Sequence, residues 1–414
     1  MASRVYPEVM VAVALLFGTL LATPAPADAK VGVCYGMLGN NLPPPTQVVA
    51  MYRQHGVGLM RLYYPHTPAL QALRGSNIGL ILDVPREDIQ RLASSASAAA
   101  DWVNRNVRAY WPAVKLRYIG VGNELIPDAG EARSILPAMR NVHAAISAAG
   151  LQKSIKVSTV VHSAVLGKSY PPSASEFSGA AQAILRPIVQ FLASTGAPLL
   201  ANIYPYFAHI YNPRDISLAY AQFTAPGPLV HDGPYAYQNL FDAMVDGMYA
   251  ALEKVGGARV SIVVSESGWP SAGGAAASVA NARTYNQNLI RHVARGTPRR
   301  PGKALETYVF AMFNENQKTG AETEKHFGLF YPNKQPVYPI SFKSIQQDEA
   351  DGEGPVYTII SSDSEVFRQL DDPEERPEVY PVGSDSEGFQ LDGPDEPAVF
   401  PITSDSVQEA VAAE

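Results

Sequence analysis

Cysteine and long apolar runs are the features that this sequence has least of. Its 414 residues include one cysteine, Cys34, which excludes a disulfide scaffold and any zinc or iron–sulfur site built from several cysteines. Only the stretch 9–21, VMVAVALLFGTLL, is both long and apolar, and it is shorter than the roughly 20 residues that span a bilayer. The sequence therefore predicts neither a membrane span nor a disulfide framework.

The apolar stretch lies in a segment with the pattern of a secretory signal peptide. Arg4 precedes it, and Ala27-Asp28-Ala29 offers a small-x-small cleavage site before Lys30. We expect residues 1–29 to be removed, with no membrane contact after cleavage and secretion to the extracellular space, the cell wall or the vacuole. A lone thiol in an oxidising compartment is best explained as a buried strand residue.

The mature chain divides into a part with a net positive charge and a part that has almost no positive charge. Residues 30–346 carry 29 Lys and Arg against 18 Asp and Glu, whereas residues 347–414 carry 2 against 19. The acidic part contains proline and repeats itself about every twenty residues, so we expect a disordered, solubilising tail. The basic residues of 30–346 are scattered, which argues against a nucleic-acid partner.

Residues 30–346 alternate between short β-branched apolar runs and stretches of helical period. Several runs, such as IGLILDV and SIVVS, are apolar almost throughout, as parallel strands covered on both faces are. Eight strand–helix units predict an α/β fold, the (β/α)8 TIM barrel, with its active site at the carboxyl ends of the strands. The alternative, an open doubly wound sheet, usually begins with a glycine-rich turn, for which CYGMLG is a poor match. The predicted strands are 31–36, 58–64, 78–84, 116–122, 155–161, 199–206, 260–265 and 306–313, and helices are predicted at 44–55, 101–109, 130–149, 237–255 and 282–295.

The chain also lacks the short motifs of several enzyme classes. Its eight histidines form no HExxH pair. No GxSxG elbow occurs, and GVGNEL at 120–125 lacks the third glycine of a dinucleotide fingerprint. We therefore expect neither a metal nor an organic cofactor.

Two glutamates close apolar strands: Glu124 ends LRYIGVGNE, and Glu266 ends VSIVVSE. Either one alone would be explained most simply as an ordinary strand-end residue. Because the fourth and seventh strands lie three apart in an eight-strand ring, the two side chains can reach towards each other across the barrel mouth. Paired carboxyl groups suit glycosidic bond cleavage, where one protonates the leaving oxygen and the other attacks or activates water. Aromatic residues that fit a sugar site fall at or just past strand ends, at Tyr35, Tyr204, Tyr206, Phe207, Trp269 and Phe313.

An ordered set of motifs makes this sequence resemble the plant endo-β-1,3-glucanases of glycoside hydrolase family 17. GVGNE at 120–124 and SESGWPS at 265–271 are the most specific, and VGVCYG, RLYYP, NIYPYFA and EKHFGLFYP follow the family's order across 31–342. The resemblance implies a (β/α)8 barrel with an open cleft, a retaining double displacement and a part in plant defence. It makes Glu124 the proton donor and Glu266 the nucleophile.

The resemblance also implies substrate-binding residues around this pair. Asn123 would hydrogen-bond the 2-hydroxyl of the reacting sugar, a contact that strengthens in the transition state. Tyr35 and Tyr204 would lie in the cleft near that sugar, and Phe207 and Phe327 would be stacking platforms.

Glu315, Lys318 and Glu324 would form a polar cluster that supports the nucleophile. The alternative for these three residues is a surface salt-bridge cluster, which would be worth little in stability.

At Tyr64 and His66 the sequence departs from the family's pattern, which usually has an acidic residue and an Asn-like residue there.

Three functions fit these observations. The first is a secreted endo-hydrolase of (1→3)-β-D-glucosidic bonds in callose or fungal wall glucan, and the second is a mixed-linkage (1→3;1→4)-β-glucanase. The third is a non-catalytic β-glucan-binding wall protein, which has no physical need for two buried carboxylates. The choice between the first two depends on subsite shape. We expect a monomer whose partner is a β-glucan polysaccharide.

Overall fold

Eight parallel strands close into a barrel in the computed structural model, which describes residues 31–342. Each strand pairs with the next along the chain, and the last pairs with the first, so the predicted (β/α)8 barrel is confirmed. The predicted signal peptide, 1–29, and acidic tail, 347–414, lie outside the described residues. The barrel strands are β1 Val31–Cys34, β2 Leu59–Leu62, β3 Gly79–Val84, β4 Lys115–Asn123, β5 Lys156–His162, β6 Leu199–Asn202, β7 Ile262–Ser267 and β8 Thr307–Val309.

Helices and short hairpins fill the connections between these strands. Side-chain oxygens of Ser178, Asn239 and Ser278 accept a backbone N–H at the start of three helices, which satisfies donors that have no partner within the helix. The α-helices are α1 Pro45–Gln54, α2 Thr67–Ala72, α3 Arg86–Ser94, α4 Ala96–Val103, α5 Ile135–Ala148, α6 Gly179–Thr195, α7 Pro205–Tyr211, α8 Leu218–Ala221, α9 Leu240–Lys254 and α10 Val279–His292. A π-helical turn spans Asn104–Arg108, and 3-10 turns span Ala132–Ser134, Ser163–Val165, Pro172–Ala174 and Glu322–His326. The hairpins pair Leu166–Lys168 with Glu176–Phe177, Val230–Asp232 with Tyr235–Tyr237, and Gly296–Thr297 with Arg300–Pro301.

The barrel strands are buried on both faces. Every residue of β3 and β7 is buried, because helices cover the outer face while inward side chains fill the barrel. Cys34 at the end of β1 is fully buried, as predicted, and its thiol donates to the backbone oxygen of Ser265. Within 31–342, no helix combines the length and the apolar character that crossing a bilayer requires.

Four strands end earlier than the sequence predicts: β1 and β2 by two residues, and β6 and β8 by four. The run 199–206 leaves the barrel after Asn202, because Pro205 occupies the first turn of α7 and its fixed φ suits that position. The run 306–313 leaves the barrel ladder after Val309. Beyond that point Ala311 donates to the backbone oxygen of Phe327, and Met312 donates to that of Cys34. Both departures place aromatic side chains at the barrel mouth.

Candidate active site

Glu124 and Glu266 both lie at the carboxyl ends of barrel strands, each beside an irregularity. The register between β4 and β5 shifts between Gly120 and Asn123, and that between β7 and β6 shifts between Val264 and Glu266. Glu124 itself has φ 55°, a left-handed conformation that costs a non-glycine residue free energy and occurs often at functional sites. Bulges next to active sites redirect side chains. Here the consecutive residues Asn123 and Glu124 can both face one hydrogen-bond network.

Glu266 is buried and held by three donors. Arg61 Nη1 lies 2.6 Å and the Tyr63 hydroxyl 2.8 Å from its Oε1, while the Tyr204 hydroxyl lies 2.7 Å from its Oε2. The residue is 5 % exposed. Burial raises the pKa of Tyr63 and of Tyr204 well above the usual value, and for Tyr204 the charge of Glu266 raises it further. Both phenols therefore stay protonated and donate to the carboxylate.

The buried guanidinium of Arg61 lies between two carboxylates. Its Nε and Nη2 donate to Asp83 Oδ2 at 3.1 and 2.7 Å, and Nη2 also donates to Asn123 Oδ1 at 2.8 Å. Burial acts to lower the pKa of Arg61, but Asp83, Tyr63 and Glu266 outweigh it and hold that pKa well above its usual value. A permanent cation therefore lies against Glu266, and hydrogen bonds of this charge-assisted kind are the strong ones.

Asn202 connects the two glutamates. Its Nδ2 donates to Glu124 Oε1 at 2.7 Å and to Asn123 Oδ1 at 3.2 Å. Its Oδ1 accepts from the Ser265 hydroxyl at 2.7 Å and from Arg61 Nη1 at 3.3 Å. Asn123 and both predicted catalytic glutamates thus belong to one network at the barrel mouth.

A cleft of about 490 Å³ opens beside this network, within the size range of small-molecule sites. Asn123 and Glu124 line it, so the predicted proton donor faces open space. Tyr64, the first departure from the family's pattern, also lines this cleft, whereas His66 does not. The remaining walls come from the last residues of β3 and β5 and from the segments that follow β1 to β5 and β8, at Gly36–Leu38, Tyr63, Asp83–Arg86, Leu125, Ile126, Asp128, Ala129, His162, Ala164, Phe310, Glu315 and Lys318.

Three of the predicted aromatic residues lie together beside Glu266. The ring of Tyr204 is 5.4 Å from that of Phe207 and 5.9 Å from that of Phe327, centroid to centroid. Phe207 is half-buried. Phe327 is only 2 % exposed, so its ring mainly packs against the neighbouring aromatic side chains. Tyr35 is buried with its edge against Phe313, and burial raises its pKa to about 12. Sugar contacts by these four residues stay predictions.

Glu315 and Lys318 are buried and Glu324 is partly buried, which is not the setting of a fully exposed salt-bridge cluster. Lys318 Nζ lies 3.6 Å from Glu324 Oε2, with side chains 6 % and 15 % exposed, and 4.3 Å from the ring centroid of Phe310. Glu315 Oε1 accepts the backbone N–H of Leu38 at 2.7 Å. Glu315 and Lys318 line the cleft, whereas Glu324 does not. Support of the nucleophile by this cluster stays a prediction.

Sequence reasoning missed Arg61, Asp83, Tyr63 and Asn202, which hold the two glutamates. The available signal was a charged or amide side chain inside an apolar strand, as in LMRL for Arg61, GLILDV for Asp83 and LLAN for Asn202. A charge inside a buried strand needs a partner, because burying it alone is costly.

Comparisons with known proteins agree with this geometry. A family model described as glycosyl hydrolases family 17 matches residues 31–342. A glucan endo-1,3-beta-glucosidase of Vitis vinifera is 59% identical over 335 residues, covering 80% of this chain and 97% of that protein. Lichenase-2 of Hordeum vulgare is 55% identical over 317 residues, covering 77% of this chain and 100% of that protein.

A solved structure is also similar to this chain in both sequence and fold. It is one of two plant beta-glucan endohydrolases described as having distinct substrate specificities, and it matches with a TM-score of 0.73 at 56% identity. The match covers 75% of this chain and 100% of the solved chain. The barrel, the glutamate pair and these matches together show that the chain belongs to glycosyl hydrolases family 17 and is a glycosidase.

Proposed function

We propose that the protein is a secreted, retaining endo-hydrolase of (1→3)-β-D-glucosidic bonds, acting on callose or fungal wall glucan. The observation that carries this proposal is the unequal setting of two carboxyl groups in one network. Glu266 is buried against a permanent cation and two phenols, whereas Glu124 faces the cleft and accepts from the neutral amide of Asn202. Unequal environments are what separate a nucleophile from an acid.

In the first step Glu266 attacks the anomeric carbon as a carboxylate. The C1–O bond to the leaving sugar breaks, and Glu124 gives its proton to the departing oxygen. The charge-assisted bond from Arg61 stabilises the ionised form of Glu266 before attack. Tyr63 and Tyr204 fix the orientation of its two oxygens, so the carboxylate is held in the orientation that attack requires.

In the second step Glu124, now a carboxylate, takes a proton from water. The water oxygen attacks C1, the ester bond to Glu266 breaks, and both carboxyl groups return to their starting states. Two displacements at one carbon keep the β configuration. Asn123, held by Arg61 and Asn202 through its Oδ1, is the proposed partner of the 2-hydroxyl.

Mixed-linkage hydrolysis is the second candidate, because Lichenase-2 resembles this chain almost as closely as the Vitis vinifera enzyme does. Product analysis on laminarin and on barley mixed-linkage glucan distinguishes the two. We expect oligosaccharides from laminarin. Release of oligosaccharides from the mixed-linkage glucan alone would make the second candidate the correct one.

The mechanism is tested by replacing each glutamate separately. Glu266→Gln should abolish turnover on every substrate, because no nucleophile remains, and added azide should give an α-configured product. Glu124→Gln should still react with activated aryl glycosides, whose leaving groups need little protonation, and azide should give a β-configured product. NMR of fresh wild-type product should show the β-anomer. An α-anomer, or near-normal turnover by Glu266→Gln, would refute the double displacement.

Secretion is proposed from residues 1–29, and it is tested on the protein recovered from plant tissue. Its N-terminal sequence should begin at Lys30, and fractionation should find it in wall fluid or the vacuole. An intact Met1 terminus in the cytosol would overturn the proposal.

We also propose that the protein is a monomer. Light scattering of the purified protein measures its mass in solution directly.

A further inference from the structure

His162, the last residue of β5, belongs to the cleft wall but not to the network around the glutamates. Its Cα is in register with that of Asn202 on β6, two residues beyond the pairing of Val160 with Asn123. Residues paired across parallel strands point to the same face of a sheet. The imidazole therefore shares the inner face with Asn202, beside the strand end that carries Glu124, and it lines the cleft.

The tautomer of this imidazole is fixed by the backbone. The N–H of Ala164 donates to His162 Nδ1 at 3.0 Å, so Nδ1 carries the lone pair and a neutral ring must hold its proton on Nε2. Burial lowers the pKa of His162 to about 4, against an opposing effect of Asp128. The ring is consequently neutral at ordinary pH, with a defined N–H donor. No residue of the described chain forms a hydrogen bond with Nε2.

Asp128 supplies an acceptor on the same wall. It is exposed, it lines the cleft, and its charge acts on the His162 ring. An ionised carboxylate can only accept, while this imidazole nitrogen can only donate. Sugar hydroxyls do both, so a neighbouring donor and acceptor match one hydroxyl or an adjacent pair of hydroxyls. Because the ring is uncharged, binding a sugar there carries no cost of desolvating a cation.

We propose that His162 and Asp128 form a hydroxyl-binding pair for a glucosyl unit in the cleft and so help determine how the glucan chain is positioned. The proposal rests on the proposed function only in taking a β-glucan as the ligand. The pair contributes binding that is equal in the ground state and the transition state, because neither group belongs to the network around the reacting carboxylates. Such binding lowers KM and leaves kcat unchanged.

The experiment measures kcat and KM on laminari-oligosaccharides of two to six units. His162→Phe keeps a flat ring without a donor, His162→Gln restores a side-chain N–H, and Asp128→Ala removes the acceptor at an exposed position where folding is not at risk. His231→Phe is the matched control, because His231 is exposed on a hairpin outside the cleft. Melting temperatures establish that each variant is folded.

We expect His162→Phe and Asp128→Ala to raise KM about two- to tenfold on the longer oligosaccharides, the value of one net hydrogen bond. The shortest substrates should be affected less, kcat should be unchanged, and His162→Gln should recover part of the loss. Unchanged KM at every length would overturn the proposal, and so would an equal fall in kcat at every length.

The wild-type enzyme is first assayed on laminarin and on mixed-linkage glucan. If it cleaves only the second polymer, the proposed 1,3-specificity fails. The oligosaccharide series is then made from the mixed-linkage polymer, and the test of the pair proceeds unchanged on the substrate that the enzyme uses.

Discussion

Replacing Arg61 by methionine would remove the cation between Asp83 and Glu266 while keeping a side chain of similar length. Both carboxylates would stay in the barrel interior, where their side chains are at most 7 % exposed. Removing one partner from a buried ion pair costs about 3–5 kcal/mol, since the remaining charge is left uncompensated. At about 1.5 °C per kcal/mol, from an unfolding entropy of about 2.1 cal/mol/K per residue over residues 31–342, the melting temperature should fall by roughly 5–8 °C.

A matched control separates burial from ion pairing itself. Arg91 Nη2 lies 2.6 Å from Asp88 Oδ1, the same distance as from Arg61 Nη1 to Glu266 Oε1, but the Arg91 and Asp88 side chains are 46 % and 24 % exposed. Arg91→Met should therefore cost at most about 1 kcal/mol. Urea denaturation gives the free energy of unfolding of both variants, and equal losses in the two would refute the reasoning.

The stability loss of Arg61→Met should also depend on pH. Asp83 and Glu266 raise the pKa of Arg61 in the native protein, so by reciprocity the cation favours their ionised forms. Without it, two carboxylates stay buried with no cation to compensate them, so protonation of these carboxylates is favoured in the folded state. The folded state then binds more protons, and stability falls as pH rises. The loss should be largest at neutral pH and smallest below about pH 4, where carboxyl groups are protonated in the unfolded chain as well. A loss independent of pH would contradict this account.

Four further outcomes are expected. Tyr204→Phe removes a hydrogen bond to the proposed nucleophile, so kcat should fall about 10- to 150-fold, the value of a bond to a charged group, and an unchanged kcat would refute that role. Gly36→Ala would bring a Cβ into collision with the carboxyl group of Glu315, so unfolding measurements should show a cost of about 1–3 kcal/mol. Gly58→Ala, with nothing within 4 Å of the added Cβ, should be nearly neutral. Deleting the acidic tail, 347–414, should leave specific activity and melting temperature unchanged, and a loss above about 1–2 kcal/mol would show that it packs on the barrel. Treatment with EDTA should leave turnover unchanged, since the mechanism uses only side chains.

The barrel could be predicted because its signal is local and repeated. Runs such as LIL in GLILDV and IVV in IVVSES are apolar on consecutive residues, and eight such strands that alternate with stretches of helical period leave few alternatives to a barrel. Glu124 and Glu266 could be found because they close such runs. The boundaries were less accurate where tertiary contacts decide them, as after Val309, where the chain leaves the barrel ladder and bonds to the segment that contains Phe327.

The support of the site could not be predicted in the same way. Arg61 and Glu266 are 205 positions apart in the chain, so no local pattern pairs them, and only closure of the ring brings them into contact. The pair of Lys318 and Glu324 has the composition of an exposed ion pair in the sequence, yet Lys318 is buried and Glu324 is partly buried. Burial of a charged side chain depends on which residues of other segments pack over it in the folded protein, and the local sequence does not contain that information.

Burial of Cys34 has a practical consequence for studying this molecule. The thiolate is the form that reacts with labelling reagents, and burial raises the pKa of this thiol far above its usual value. Because the chain has no other cysteine, a cysteine introduced at the surface would be the single reactive thiol of the native protein. Leu38, 44% exposed at the edge of the cleft, is a suitable position. A fluorophore attached there would report glucan occupancy directly, without first removing the native cysteine.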